Sequence, residues 1–343
     1  MTNQGWAGTT YGNEWMHRWL IRLLRHIDVR ILYVFTAVFI IPVCLLLNPS
    51  RGIAYRYFRR HIGCGRLKAA WKTYVGHCLF GTTVIDKFAM YAGKHFHMEV
   101  EGYESFSSLA AAKEGFVMLS SHIGNYEIAG YTLTSKEKRL NALVYAGEKA
   151  SVMQNRSKMF EGRNTRMIAV RQDMSHLFEI DLALQGGEIV SMPADRIVGS
   201  QKCIELDFLA GKAKFPLGPF AVATGRSLDV LAVSVMKVSS RGYKIYVTPL
   251  PYDKEASRQQ QIRQLAEAYV AELERRVKQY PTQWYNYFEF WVGEREIVNK
   301  ETPSNSPLKE ENPGELSTKK ASPLRGGLEG SINRKSSNRK LLW

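Results

Sequence analysis

Four cysteines in 343 residues stand far apart, at Cys44, Cys64, Cys78 and Cys203, with no CxxC pair. That scarcity excludes a disulfide framework and a cysteine-built zinc site, and it fits a reducing compartment. GxSxG, GxxxxGK[ST], HExxH and GxGxxG are all absent. With them go the serine nucleophile elbow, the P-loop, the helical zinc-protease pair and the dinucleotide fingerprint. No metal-ligand set stands out and no cofactor motif occurs. Acidic residues are scarce at the start: residues 1–80 hold two Asp+Glu against eleven Lys+Arg. With 45% hydrophobic and 23% charged residues, the chain is neither disordered throughout, nor collagen-like, nor a polytopic membrane protein.

The formal net charge of +15 is unevenly spread. Residues 1–80 carry +9, residues 81–296 only +2, and residues 297–343 carry +4. The profile divides the chain into a basic N-terminal region (1–80), a nearly neutral globular domain (81–296) and a tail (297–343). The tail is rich in Ser, Asn, Pro, Lys and Glu, and this predicts disorder.

A basic region can meet nucleic acid, anionic lipid or an acidic protein. The apolar residues beside the charge favour lipid. Trp15, Trp19 and Leu23 repeat every fourth position, Leu20, Leu24 and Ile27 widen the face, and Arg18, Arg22 and Arg25 form an adjacent stripe. That is the make-up of a helix lying in a membrane interface, although the same face can pack on a core. Ile31–Leu47 follows, seventeen residues without a charge, at the lower limit for spanning a bilayer and interrupted by Pro42. Arginines flank it on both sides: Arg22, Arg25 and Arg30 before it, Arg51, Arg56, Arg59 and Arg60 after it. Symmetric flanks suit a shallow or re-entrant segment with both ends at the cytoplasmic face, and a single span is the alternative. The charged lead is too long for a cleavable signal.

The middle alternates β-rich runs with helical stretches. Strands are predicted at 96–100, 116–121, 142–145, 167–170, 189–192, 228–235 and 243–248. Helices are predicted at 106–113, 125–133, 150–160, 175–184, 218–224 and 258–277. The alternation implies an α/β domain around a largely parallel central sheet flanked by helices.

The chemistry gathers at the end of the second predicted strand, where Phe116–Ser121 runs into His122-Ile-Gly-Asn-Tyr-Glu127. Sites in open α/β sheets form at the carboxyl ends of strands. With His122 in the turn and a helix starting at Gly124 or Asn125, the Glu127 carboxylate can fold back to an imidazole nitrogen and favour the imidazolium. Amides near Asn125 can face developing negative charge. A lone histidine at a strand end is otherwise a structural residue.

These residues resemble a family. The stretch His122–Glu127 is similar to the H-x4-E/D motif of bacterial lysophospholipid-acyltransferase-like enzymes, nearest to the branch that adds late acyl chains to lipid A. The likeness continues in order. Gln154-Asn155-Arg156 resembles its arginine segment. Ile189-Val-Ser-Met-Pro-Ala-Asp195-Arg196-Ile-Val-Gly199 resembles its strand followed by Asp-x-x-x-Gly. Glu205 to Gly225 resembles its "FFG…A…P.G…A..TG" stretch. The resemblance covers roughly residues 70–290. It implies a glycerolipid-acyltransferase-like fold and a membrane-associated enzyme at the cytoplasmic face of the inner membrane. Such an enzyme moves an acyl chain from acyl carrier protein to a hydroxyl of a lipid A precursor-like acceptor, without nucleic acid as a partner. It assigns catalysis to His122 and Glu127, and substrate contacts to Asn125, Arg156, Asp195, Arg196 and Gly199.

The chain departs from that branch in three places, one of them Phe208-Leu-Ala-Gly211 where Phe-Phe-Gly is usual. Asp195-Arg196 stands where Asp-Gln is usual, and Trp284-Tyr-Asn-Tyr-Phe-Glu-Phe stands where the branch ends in Trp-x-His-Arg-Arg. An aminolipid, lysophospholipid or polyene acceptor therefore stays open, as do a membrane scaffold and a basic nucleic-acid-binding protein. Glu161-Gly162-Arg163, the His176/Glu179 pair and the aromatic run Trp284–Trp291 are read as structural.

Overall fold

The computed structural model describes residues 14–293, apart from Pro49, Ala146, Glu148, Lys149, Gln172 and 198–201. The tail and Gly199 therefore lie outside the described residues. The chain begins with α1 (Glu14–His26), α2 (Val29–Phe35), α3 (Ile41–Leu47), α4 (Arg51–Arg56) and α5 (Arg66–Tyr91). It continues with β1 (His97–Glu101), α6 (Tyr103–Ala111), β2 (Phe116–Gly124), α7 (Ala129–Thr132), β3 (Leu140–Tyr145), α8 (Ala150–Phe160), β4 (Thr165–Val170) and α9 (His176–Gln185). The last part holds β5 (Ile189–Pro193), β6 (Cys203–Phe208), β7 (Gly211–Pro216), α10 (Gly218–Thr224), β8 (Val230–Ser239), β9 (Gly242–Pro249) and α11 (Arg258–Gln279).

Seven strands form one sheet in the order β1-β9-β8-β2-β5-β3-β4. Every neighbouring pair is parallel except β8 with β9. This is the expected α/β class, and each predicted strand of the sheet is present, with β2 running three residues and β8 four residues past their predicted ends. β2 lies centrally and is buried on both faces, which accounts for its unbroken apolar run. Val117 and Leu119 face one core, shared with α9, α10, α11 and Trp284, while Phe116 and Met118 face the other.

Neither the β6–β7 hairpin nor the long α5 was predicted. β6 and β7 form a hairpin closed by Leu209 and Ala210, with φ of 47° and 59°. Gly or Asn normally occupies such positions, so the sequence carries no turn signal. Leu209 is held there from both sides: its N–H donates to Glu274 at 2.8 Å, and its carbonyl meets His61 Nδ1 at 2.8 Å. The second is α5, 26 residues long or about 39 Å. Gly76 and Gly81 interrupt its pattern, and a Cβ on Gly81 would lie 3.0 Å from a methyl of Thr36.

α5 is the axis on which the N-terminal helices pack. Ile21, Leu24 and Val29 meet Ile85, Phe88 and Ala89 on it. Residue 80, placed at the domain boundary by the charge profile, lies inside α5, and the described residues up to Val292 belong to one compact unit. Val29–Leu47 is a continuous helix of 19 residues with a mean hydropathy of 2.4, of which 11% is buried. A π turn at Thr36–Ile40 precedes Pro42 and keeps the helix unbroken past the proline ring. Its length and composition allow a membrane span.

Candidate active site

The parallel register of β2 and β5 pairs Ser120 with Pro193. Two residues further on stand His122, still within β2, and Asp195, just past the end of β5. The pairing with β8 slips there: four steps along β2, from Ser120 to Gly124, match two steps along β8, from Val233 to Val235. Ser121, His122 and Ile123 thus bulge off the sheet, a device that re-aims side chains next to active sites. Gly124 closes the bulge at φ 59°, and a Cβ there would fall 1.9 Å from the Val235 carbonyl oxygen, so only glycine fits.

Asp195 binds His122 twice. Its Oδ1 lies 2.8 Å from Nδ1 of the ring, and its Oδ2 accepts the His122 backbone N–H at 2.7 Å. The carboxylate is 2% exposed and the imidazole faces an opening, with 13% of the side chain accessible. Burial pushes the imidazole pKa below its ordinary 6.5, and Asp195 offsets only part of that, so the ring is neutral at pH 7. Burial would raise Asp195, but His122 and Arg196 hold it below the usual carboxylate range. Nδ1–H donating to Asp195 fixes the tautomer that leaves Nε2 as the basic nitrogen. The C-terminal segment completes the wall: Ile123 bridges Trp284, and the Tyr285 N–H reaches the His122 carbonyl at 3.3 Å.

The orienting bond expected from Glu127 is made at Nδ1 by Asp195, and Glu127 joins other partners. Its carboxylate lies 3.0 Å from Lys87, accepts Arg156 Nε at 2.9 Å and accepts the Tyr91 hydroxyl at 2.9 Å. Burial alone would raise its pKa, yet Lys87 and Arg156 hold it far below the carboxylate range. Asn125 lies beside this cluster. It is 3% exposed, and its amide donates to the Tyr243 hydroxyl at 3.4 Å. The helix predicted from Asn125 is a 3₁₀ turn at Tyr126–Ile128 followed by the short α7.

Arg156, on α8, is buried against Glu127. Arg196 donates to the Tyr285 carbonyl at 2.7 Å, and its guanidinium lies 5.5 Å from the Phe288 ring centre. Lys87 and Tyr91 were not anticipated, although their i,i+4 spacing would have put them on one face had α5 been recognised. Among the described residues no cluster of three or more His, Cys, Asp or Glu could hold a metal.

A neutral, carboxylate-oriented imidazole at the opening, with two arginines within the same site, can deprotonate a hydroxyl and accommodate negative charge. No curated protein matches the chain. Among solved structures, the crystal structure of the 1-acyl-sn-glycerophosphate (LPA) acyltransferase PlsC from Thermotoga maritima is similar at 14% identity, covering 79% of this chain and 100% of that one with a TM-score of 0.35, too distant to argue from. Residues 70–291, which contain the whole His122 site, match the model of the bacterial lipid A biosynthesis acyltransferases. The chain belongs to that family and is an acyltransferase acting on lipid.

Proposed function

We propose that the protein transfers a fatty acyl chain from the thioester of an acyl carrier protein to a hydroxyl of a lipid A precursor-like acceptor, working as a peripheral or monotopic enzyme at the cytoplasmic face of the inner membrane. The observation that carries the proposal is the double contact of Asp195 with His122. His122 Nε2 takes the proton of the attacking hydroxyl, and Asp195 stabilises the imidazolium that forms. The hydroxyl oxygen bonds to the thioester carbon directly, so the enzyme needs no nucleophile of its own. Arg196 and Arg156 bias the site toward the negative charge that develops on the carbonyl oxygen. Glu127 sets the position of Arg156 and of the turn that follows His122.

Membrane attachment is supported by the exposed apolar residues of the N-terminal helices, among them Trp15, Trp19, Val34, Phe39 and Leu46, together with Leu67 and Trp71 at the start of α5. The test is transfer from acyl carrier protein to candidate lipids, read by mass spectrometry, with lipid profiling of a deletion strain to identify the acceptor. A folded His122→Ala enzyme should lose ~10²–10⁴-fold in kcat. Near-normal turnover of that variant would remove the general-base assignment. A deletion strain with unchanged lipid A and altered aminolipid or lysophospholipid would redirect the acceptor.

A further inference from the structure

Tyr126 stands next to His122 with no role in the scheme above. Its ring meets the imidazole edge-on, with centroids 5.1 Å apart, and the residue is 36% exposed, so it borders the opening through which substrate must reach Nε2. The turn that carries it is fixed at both ends. Upstream, the Asn125 N–H donates to the Val235 carbonyl at 2.8 Å, and downstream Glu127 is held by Lys87, Arg156 and Tyr91. Its hydroxyl makes no hydrogen bond among the described residues. It therefore has a donor to offer, on a rigid support, beside the general base.

We infer that the Tyr126 hydroxyl donates a hydrogen bond to the carbonyl oxygen of the acyl thioester as that oxygen becomes an oxyanion. This rests on His122 acting as the general base. The acceptor hydroxyl oxygen bonds to the thioester carbon while its proton passes to His122 Nε2. The carbonyl π pair moves onto oxygen, where the Tyr126 O–H meets it. Collapse restores the carbonyl, breaks the C–S bond and sends the thiolate out with the proton from Nε2. The phenol remains a donor throughout. Burial, with Glu127 and Asp195 nearby, pushes its pKa up to about 12 despite Arg156 and Arg196. A neutral donor fixed beside the base suits this step, because its bond strengthens only as charge develops.

The test is steady-state kinetics of Tyr126→Phe, Tyr126→Leu and His122→Ala with acyl carrier protein thioester and lipid acceptor. Tyr126→Phe keeps the ring edge on His122, so its thermal midpoint should stay at the wild-type value. Loss of one oxyanion donor lowers kcat ~10²–10³-fold. KM for both substrates should stay within about three-fold, since the bond forms only in the transition state. Tyr126→Phe that keeps more than about a third of wild-type kcat overturns the inference, even if Tyr126→Leu is inactive, because ring packing on His122 then explains the residue. A loss that appears as raised KM overturns it as well, making Tyr126 a binding wall. His122→Ala separates the two claims. If it is inactive while Tyr126→Phe is normal, only the oxyanion assignment falls. If it is active, the general-base reading falls first.

Discussion

As the proposed base, His122 has its proton affinity pulled in opposite directions by its burial and by Asp195. Burial depresses it, and Asp195 partly restores it. The activity should therefore rise with pH through a limb below the ordinary histidine value of 6.5 and stay flat across neutrality, since the neutral ring is the active form. Asp195→Asn removes the charge that favours the imidazolium. The limb should move to still lower pH, while kcat falls by ~10²–10⁴-fold because the imidazolium loses its stabilising partner. A pH–rate profile of the variant measures both. A limb that moves upward would mean that Asp195 does not act on His122 through its charge.

At the scale of elements, two buried acids pin α5 to the catalytic domain. Glu127 collects Lys87 and Tyr91 from α5 and Arg156 from α8. Asp86, fully buried, accepts from Tyr33 of α2, Lys237 of β8 and Tyr243 of β9. Each carboxylate removed leaves its cations buried without their partner. Glu127→Ala should therefore destabilise the fold by about 3–5 kcal/mol. Urea unfolding followed by tryptophan fluorescence would show it as a lower midpoint at unchanged slope. A stable but inactive Glu127→Ala protein would instead return Glu127 to direct participation in catalysis.

For the whole molecule, the apolar surface is concentrated where a lipid enzyme needs it. Val34, Val38, Phe39, Val43, Leu46 and Leu47 are all more than half exposed on one helix, and Trp15 and Trp19 are exposed on α1. Burying a side chain of this size is worth about 1.5–3 kcal/mol. Replacing Trp15, Trp19 and Phe39 with Ser should weaken binding to anionic vesicles by at least ~100-fold while the soluble fraction stays folded. Vesicle co-sedimentation at low and high salt reads this, and the arginine contribution should be the part that salt removes. Unchanged vesicle binding by the triple variant would show that these faces do not carry the attachment.

The local features were legible in the sequence because they depend on neighbouring residues alone. Parallel central strands announce themselves as unbroken apolar runs buried on both sides, and Phe116–Leu119 is such a run. His122 could be placed at a strand end for the same reason, and the arginine-flanked apolar stretch could be recognised by composition. What the sequence did not contain was which strand lies beside which. Asp195 is 73 positions from His122, and only the placement of β5 against β2 makes it the partner of the imidazole instead of Glu127, five positions away. Nor did the sequence announce a turn at Leu209–Ala210, whose strained backbone is held by Glu274 and His61, or a helix through Gly76 and Gly81, whose bare Cα positions are used for close packing. Residue types and short-range periodicity determined most of the sheet and marked His122 as the candidate base. Long-range packing decided its partner, because a hydrogen bond selects the carboxylate that the fold brings to 2.8 Å, whatever the distance along the chain.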